Sequence, residues 1–351
     1  MKRQGFFWCL LVFVLPFTAC NQNDTVGGEW LIPRSEVLSG GPGKDGIPSV
    51  DNPQFASVDE TTYLSDNDLV IGIKVGDEVR AYSHRVLDWH EIVNDILDTV
   101  AVALTYCPLT GTGVGWDRKV NGTTTTFGVS GLLYNSNLIP YDRATDSEWS
   151  QIRLDCVHGE LMETEIRTLP IVETTWKTWK SWFPNSKVIT LETGHSRDYT
   201  RYPYGSYRSN NNLNFPVDTL DERLHKKERV LGLINRGNGQ ARVYRFDPFQ
   251  SGRNTIMDQM GSQDIVVFGS EPENVLVAYQ STLPDGTQLS FHPYQGENSQ
   301  LVMEDNEGNR WNVFGEAIEG PRAGAQLLPT ESFIGYFFSW GSFYRGVEIY
   351  E

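Results

Sequence analysis

Cysteine is scarce in this 351-residue chain, with four in all, and two of them, Cys9 and Cys20, fall in an N-terminal segment that reads as a processed leader. Only Cys107 and Cys156 remain as thiols of the mature chain, which excludes a small disulfide-stapled scaffold and allows at most one bridge in an oxidising compartment. Basic charge is short as well. Twenty-nine Lys and Arg stand against forty-five Asp and Glu, a formal net charge of −16, and nucleic acid is excluded as a partner because phosphate binding needs a basic surface. Beyond the leader no run is apolar enough to span a bilayer. The alternation of strand and helix patterns that builds a parallel sheet is missing too, as is the H-x-H or C-x-x-C spacing of a compact metal site.

What is present starts with export. Lys2 and Arg3 precede "GFFWCLLVFVLPFTAC", an apolar segment too short to cross a membrane, which predicts a lipoprotein signal peptide and lipobox over residues 1–20 with Cys20 as the acylated residue. Each buried acyl methylene adds ~0.8 kcal/mol of membrane affinity, so the expected location is the bacterial cell envelope, lipid-anchored outside the cytoplasm, with the membrane a partner through Cys20. Cleavage removes Lys2 and Arg3 and no acid, moving the charge from −16 to −18. Residues 21–59, which include the glycine-rich "GGPGKDG" around Lys44, read as an N-terminal tether. With no strand before that stretch and no helix after it, a phosphate loop is not expected there.

The mature body is long enough for two domains, and it carries an internal duplication. "VIGIKVGDEVRAY" (70–82) resembles "VLGLINRGNGQARVY" (230–244), and "NGTTTTF" (121–127) resembles "DGTQLSF" (285–291). Trp149 and Trp179 are spaced almost as Trp311 and Trp340 are. Short β-rich runs separated by Asn-Gly, Asp-Gly and other glycine turns dominate, while "ETTWKTWKSWFP" places Trp176, Trp179 and Phe183 at helical spacing. The expected fold is α+β, mainly β: two tandem homologous units of short antiparallel strands, 60–205 and 226–351, each with one aromatic-faced helix, joined by a polar linker over 206–225.

The units differ at one place. "TYCPLTGTGVGWDR" (105–118) occurs in the first, whereas the second reads "SEPENVLVAY" with neither cysteine nor glycine cluster, so a site is expected in the first unit only. Proline after Cys107 ends strand hydrogen bonding, and Gly111, Gly113 and Gly115 allow close backbone approach to a ligand or form a tight turn. Thr110 is placed to donate a hydroxyl to the Cys107 sulfur, and Cys156 is a resolving or disulfide partner if it lies close. His90, in "SHRVLDWHEIVND" (83–95), is the expected basic partner; read as a strand, that segment turns His90 and Ile92 to one face and Trp89 and Glu91 to the other. Trp116, Asp117, Arg118, Tyr141, Asp142 and Arg143 are candidate binding residues around the same cleft. No cofactor is predicted. Two histidines and a thiolate, His84, His90 and Cys107, make copper or zinc the alternative.

Together "GGPGKDGIPSVDNPQF", "WHEIVND", "TYCPLTGTGVGWDR", "FGVSGLLYNSNLIPYDR", "EWSQIRLDCVHGEL" and "SRDYTRYPYGSYR" resemble domain-of-unknown-function family 3179 of bacterial envelope proteins, most densely over residues 32–208. The resemblance implies an architecture and a motif rather than an activity. Relatives resemble Cys-Pro-Leu-Cys at 107–110, some with selenocysteine, which implies thiol redox chemistry; Thr110 departs from that pattern. Two function classes follow. One is a thiol-dependent, redox-type enzyme centred on Cys107 acting on a small molecule or protein. The other is a non-enzymatic lipoprotein that binds a sugar, peptide or metal in the glycine- and aromatic-rich cleft of the first unit.

Overall fold

A computed structural model describes residues 28–351; the segment expected to be a signal peptide and Cys20 lie outside the described residues. The first glycine turn of the sequence closes a hairpin, Leu69–Val75 against Glu78–Ser83, with Val75 opposite Glu78. Period-two alternation divides its side chains: Val70 enters one core, while Ile71 and Ile73 enter another. Gly72 lies between them because a Cβ there would overlap the Trp179 ring. Both faces are therefore covered, which is why the strand reads as a nearly continuous apolar run.

The described residues are mainly β, with three short α-helices and several small, largely antiparallel sheets. In one sheet the order is Ile171–Thr175, Leu69–Val75, Glu78–Ser83, Lys187–Ile189, Phe55–Ser57. In another it is Glu331–Tyr336, Arg229–Asn235, Gln240–Arg245, Glu348–Ile349, the same succession without the last strand. Lys187–Ile189 runs parallel to Glu78–Ser83, and Glu348–Ile349 runs parallel to Gln240–Arg245. A three-strand meander, Ile92–Leu97, Val100–Cys107 and Thr112–Asp117, has its like in Asn254–Met260, Gln263–Ser270 and Val275–Gln280.

Side-chain details recur with the strands. Arg80 and Tyr82 both donate to Asp95, and Arg242 and Tyr244 both donate to Asp258. The Trp149 indole donates to Asp142 at 3.1 Å and that of Trp311 to Asp305 at 2.9 Å. Phe127 stands edge-on to Trp149 at 5.9 Å and Phe291 to Trp311 at 5.8 Å. Gly232 underlies the Trp340 ring as Gly72 underlies Trp179.

Two helices bridge the halves, each lying on the sheet of its own half and reaching into the core of the other. α2 (Trp176–Trp182) is capped by Thr175, whose hydroxyl accepts from the Thr178 N–H, and buries Trp176, Trp179 and Trp182. Its aromatic face lies in a core with Trp311, Val313 and Phe314 of the C-terminal half, Phe314 being 5.3 Å from Phe183. Reciprocally, α3 (Phe337–Phe343) packs Phe337, Phe338 and Trp340 against Trp149, Ile152 and Cys107 of the N-terminal half.

Three segments depart from the sequence expectation. "HRVLDWH" is a helix, α1 (His84–His90), because Ser83 caps it and Val86, Leu87 and His90 bury at helical rather than strand spacing. The N-terminal half thus holds two α-helices instead of one. The expected tether is woven in: Leu38–Ser39, Val50–Asp51 and Phe55–Ser57 each pair with a strand of the body. The polar linker is strapped down, with Ser136 donating to the Phe215 carbonyl at 2.8 Å and the Asp218 N–H to Asn135 at 2.7 Å.

Candidate functional site

Four quoted motifs meet around the end of the Val100–Cys107 strand. Cys107 closes that strand opposite Thr112, and the loop between them is held by Tyr336 of the C-terminal half, whose N–H donates to the Thr110 carbonyl at 2.7 Å. The Cys107 Sγ points toward the Ser136 carbonyl at 3.7 Å, in the turn that joins Phe127–Tyr134 to Asn137–Asp142. From the linker, the Tyr207 hydroxyl donates to the Leu109 carbonyl at 2.8 Å. α1 delivers Asp88, and Glu91 follows as its C-cap with φ 59°, a left-handed conformation that a glutamate adopts at a cost. Glu91 is held there by its own N–H to Leu87 and by the Tyr106 N–H, which donates to its carbonyl at 2.6 Å.

Beside this junction is a cavity of about 290 Å³. Its walls are apolar, with Ile47, Leu109, Leu133, Leu138 and Phe215 among them, and Asp88 and Glu91 supply its carboxyls. Burial pushes both up to about 7. For Asp88 burial outweighs Arg208, which pairs with it at 2.5 Å. Among the described residues the Glu91 carboxyl receives only the neutral Tyr204 hydroxyl, at 2.7 Å. A second buried polar group adjoins Asp88 on the same face of α1, one turn back at His84. There Glu173 pairs with Arg229 at 2.5 Å and lies 3.5 Å from His84, whose ring stacks obliquely on Tyr106. Burial keeps His84 neutral, its pKa well below the usual imidazole range.

Cys107 is 1% exposed and its thiol is pushed up to about 11, chiefly by burial and then by the Glu91 charge, with Thr110 and the Leu138 backbone opposing. It is therefore not the solvent-reachable, activated thiol expected from the sequence. Cys156 is buried too, pushed up to about 12 by burial, its sulfur on the His158 carbonyl at 3.3 Å; both cysteines are free thiols, so no resolving bridge joins them. Nor does His90 reach Cys107. Its ring bonds the Pro48 carbonyl and the Tyr199 hydroxyl, each at 2.7 Å, and burial lowers its pKa to about 4. The strand-to-helix change explains the exchange: it is Glu91, reversed by its backbone, that turns to the thiol.

The remaining expected residues divide between junction and scaffold. Thr110 belongs to the junction and also to a buried network, bonding Thr112 at 2.8 Å and receiving Asn137 at 2.9 Å, with Gln151 behind them. The glycines admit side chains rather than a ligand: Gly111 faces the Tyr336 ring, Gly113 the Ile71 methyl and Gly115 Ile171. Trp116 is core beside Phe127, Asp117 pairs with Arg167 at 3.1 Å, and Arg118 is buried. Tyr141 and Arg143 both bind Asp45 of the "GGPGKDG" loop, and Asp142 caps Thr145 and holds Trp149. None of these six lines the cavity. His84, His90 and Cys107 do not form a metal set, since among the described residues no group of three His, Cys, Asp or Glu is placed to hold an ion.

Sequence reasoning missed Glu91, Asp88, Tyr204 and Tyr207. The signal available was "RYPYGSYR", three tyrosines in a segment too aromatic for a solvated connector.

No curated protein and no solved structure matches the chain. A family model described as a protein of unknown function matches residues 44–346, so the likeness extends through both halves and not only across the motif-dense 32–208. The chain belongs to that family, DUF3179.

Proposed function

We propose that this chain is an envelope lipoprotein, anchored through Cys20, that binds a small molecule in the cavity beside Cys107. The observation that carries this is the convergence of motifs from five separate stretches on one largely apolar cavity with two carboxyls, the usual composition of a small-ligand site. The C-terminal half offers no counterpart. By hairpin register, Ser270 stands where the first half has Cys107, and Asn254 where it has Glu91. We read the two halves as copies of one unit, of which the second has kept the core and not the site. An uncharged, environment-sensitive dye such as N-phenyl-1-naphthylamine tests the binding. It should brighten on the mature protein and fail to do so on Leu132→Trp, which fills the cavity from its partly exposed wall; equal fluorescence with both would overturn the proposal.

Thiol-dependent chemistry centred on Cys107 is the competing reading, and burial and the Glu91 charge, which together hold the thiol up at about 11, speak against it. Alkylation by iodoacetamide at a rate above that of a free model thiol supports it. Reaction only on unfolding overturns it.

A further inference from the structure

We propose that the cavity selects ligands with an apolar body and a single cationic amine, seated against Glu91; this rests on the cavity being a ligand site. Its two carboxyls are not equivalent. Asp88 is already neutralised by Arg208. Glu91, 6% exposed, has one oxygen engaged by a neutral phenol, and among the described residues it makes no ion pair and its second oxygen accepts no hydrogen bond. A carboxylate withdrawn from water and left without a cation is costly, and a ligand that supplies the cation recovers that cost. Asn at the same register position in the other half carries no charge to compensate, so the feature belongs to the site and not to the fold.

The backbone tells the same story. Glu91 is held in a left-handed conformation by two main-chain hydrogen bonds, and this turn directs its side chain away from the Ile92–Leu97 strand. Strain of that kind persists where its surroundings fix it, typically at ligand clamps. Around the carboxyl, Trp89, Tyr204 and Phe215 add aromatic walls suited to an ammonium group. Arg197 also lines the cavity, its guanidinium 5.9 Å from the Trp89 ring centroid, and there it opposes a second positive charge on the ligand. The acidic chain, at −16, attracts cations to its surface.

The groups facing Glu91 are Asp88 from α1, Cys107 from its strand and Tyr204 from the linker, with Arg208 behind Asp88. Of these only Glu91 and Asp88 titrate between pH 5 and 8, and both protonations disfavour the amine, since protonating Asp88 leaves Arg208 unneutralised. Isothermal titration of the mature protein with three matched probes, n-hexylamine, 1-hexanol and hexanoate, separates the possibilities. At pH 8 the amine should bind roughly tenfold or more tighter than the alcohol, the worth of one charge-assisted contact. Glu91→Gln should abolish the preference, bringing amine and alcohol to like affinity. In the unmodified protein the preference should fade toward pH 5, a measurement that stands even if the variant does not fold. Equal binding of amine and alcohol, or tighter hexanoate, overturns amine selection while leaving the cavity a ligand site. Binding of none of the three, with the dye also excluded, overturns both.

Discussion

Glu91→Gln should stabilise the empty protein at alkaline pH and do nothing at acid pH. In the fold the carboxyl titrates at about 7 against an ordinary 4.5, because burial disfavours its charged form and neither Tyr204 nor any cation restores it. The folded state therefore holds a proton that the unfolded state releases. Below pH 4.5 both states are protonated and Glu91 costs nothing; between 4.5 and 7 the cost grows; above 7 it is constant. A rise of that size corresponds to about 3 kcal/mol, at roughly 1.4 kcal/mol per pKa unit. Gln cannot ionise and its amide oxygen still accepts from Tyr204, so the variant removes the charge and keeps the contact. Urea unfolding of the detergent-solubilised mature chain, for wild type and variant at pH 4.5, 6 and 8, measures the difference. The variant should match wild type at pH 4.5 and exceed it by about 3 kcal/mol at pH 8. A difference independent of pH, or a variant weaker than wild type at pH 8, would refute the assignment of Glu91 as a buried, uncompensated carboxyl.

Four further outcomes are expected. Both Cys107 and Cys156 should resist iodoacetamide at pH 8 until the protein unfolds, given thiols pushed up to about 11 and about 12 by burial, and mass spectrometry of the alkylated chain will show it. Gly72→Ala and Gly232→Ala should each lower the melting temperature sharply, because the added methyl overlaps Trp179 or Trp340, and overpacking of this kind costs about 1–3 kcal/mol or more. Trp179→Ala should cost about 3–5 kcal/mol by leaving a void between the halves, read as a lower urea midpoint. Cys20→Ser should move the protein out of the membrane fraction and abolish labelling by a fatty-acid analogue; unchanged membrane retention would point to another anchor.

Much of the scaffold was legible because its determinants are local. The Gly76 hairpin, the α2 aromatic stripe and the paired tryptophans are patterns of period two, period 3.6 and matched spacing, and each is found where the sequence places it. The loop at Cys107 was legible as a place, but its glycines were not legible as packing, since Ile71, Ile171 and Tyr336 reach them from distant parts of the chain. His90 was preferred over Glu91 because an unbroken strand separates neighbours onto opposite faces. One residue of left-handed backbone at a helix end reverses that assignment, and no periodicity announces it. Tyr204 and Tyr207 escaped notice because they lie in and beside a segment rich in Asn and Asp, whose order comes from tertiary bonds to the Leu109 carbonyl, Glu91 and Asn135.

The bridging of the halves by α2 and α3 has a consequence for how the molecule can come apart. A half chain produced alone would keep its helix on its own sheet, over Gly72 or Gly232, but would leave the outer side of the aromatic row uncovered, a surface that drives dimerisation by swapping or aggregation. Conversely, a protease that nicks the exposed backbone near Asn211 would sever the connection without releasing either product, because each fragment would still carry the helix that completes its neighbour. Such a nicked protein should migrate as one species under native conditions and as two only after denaturation.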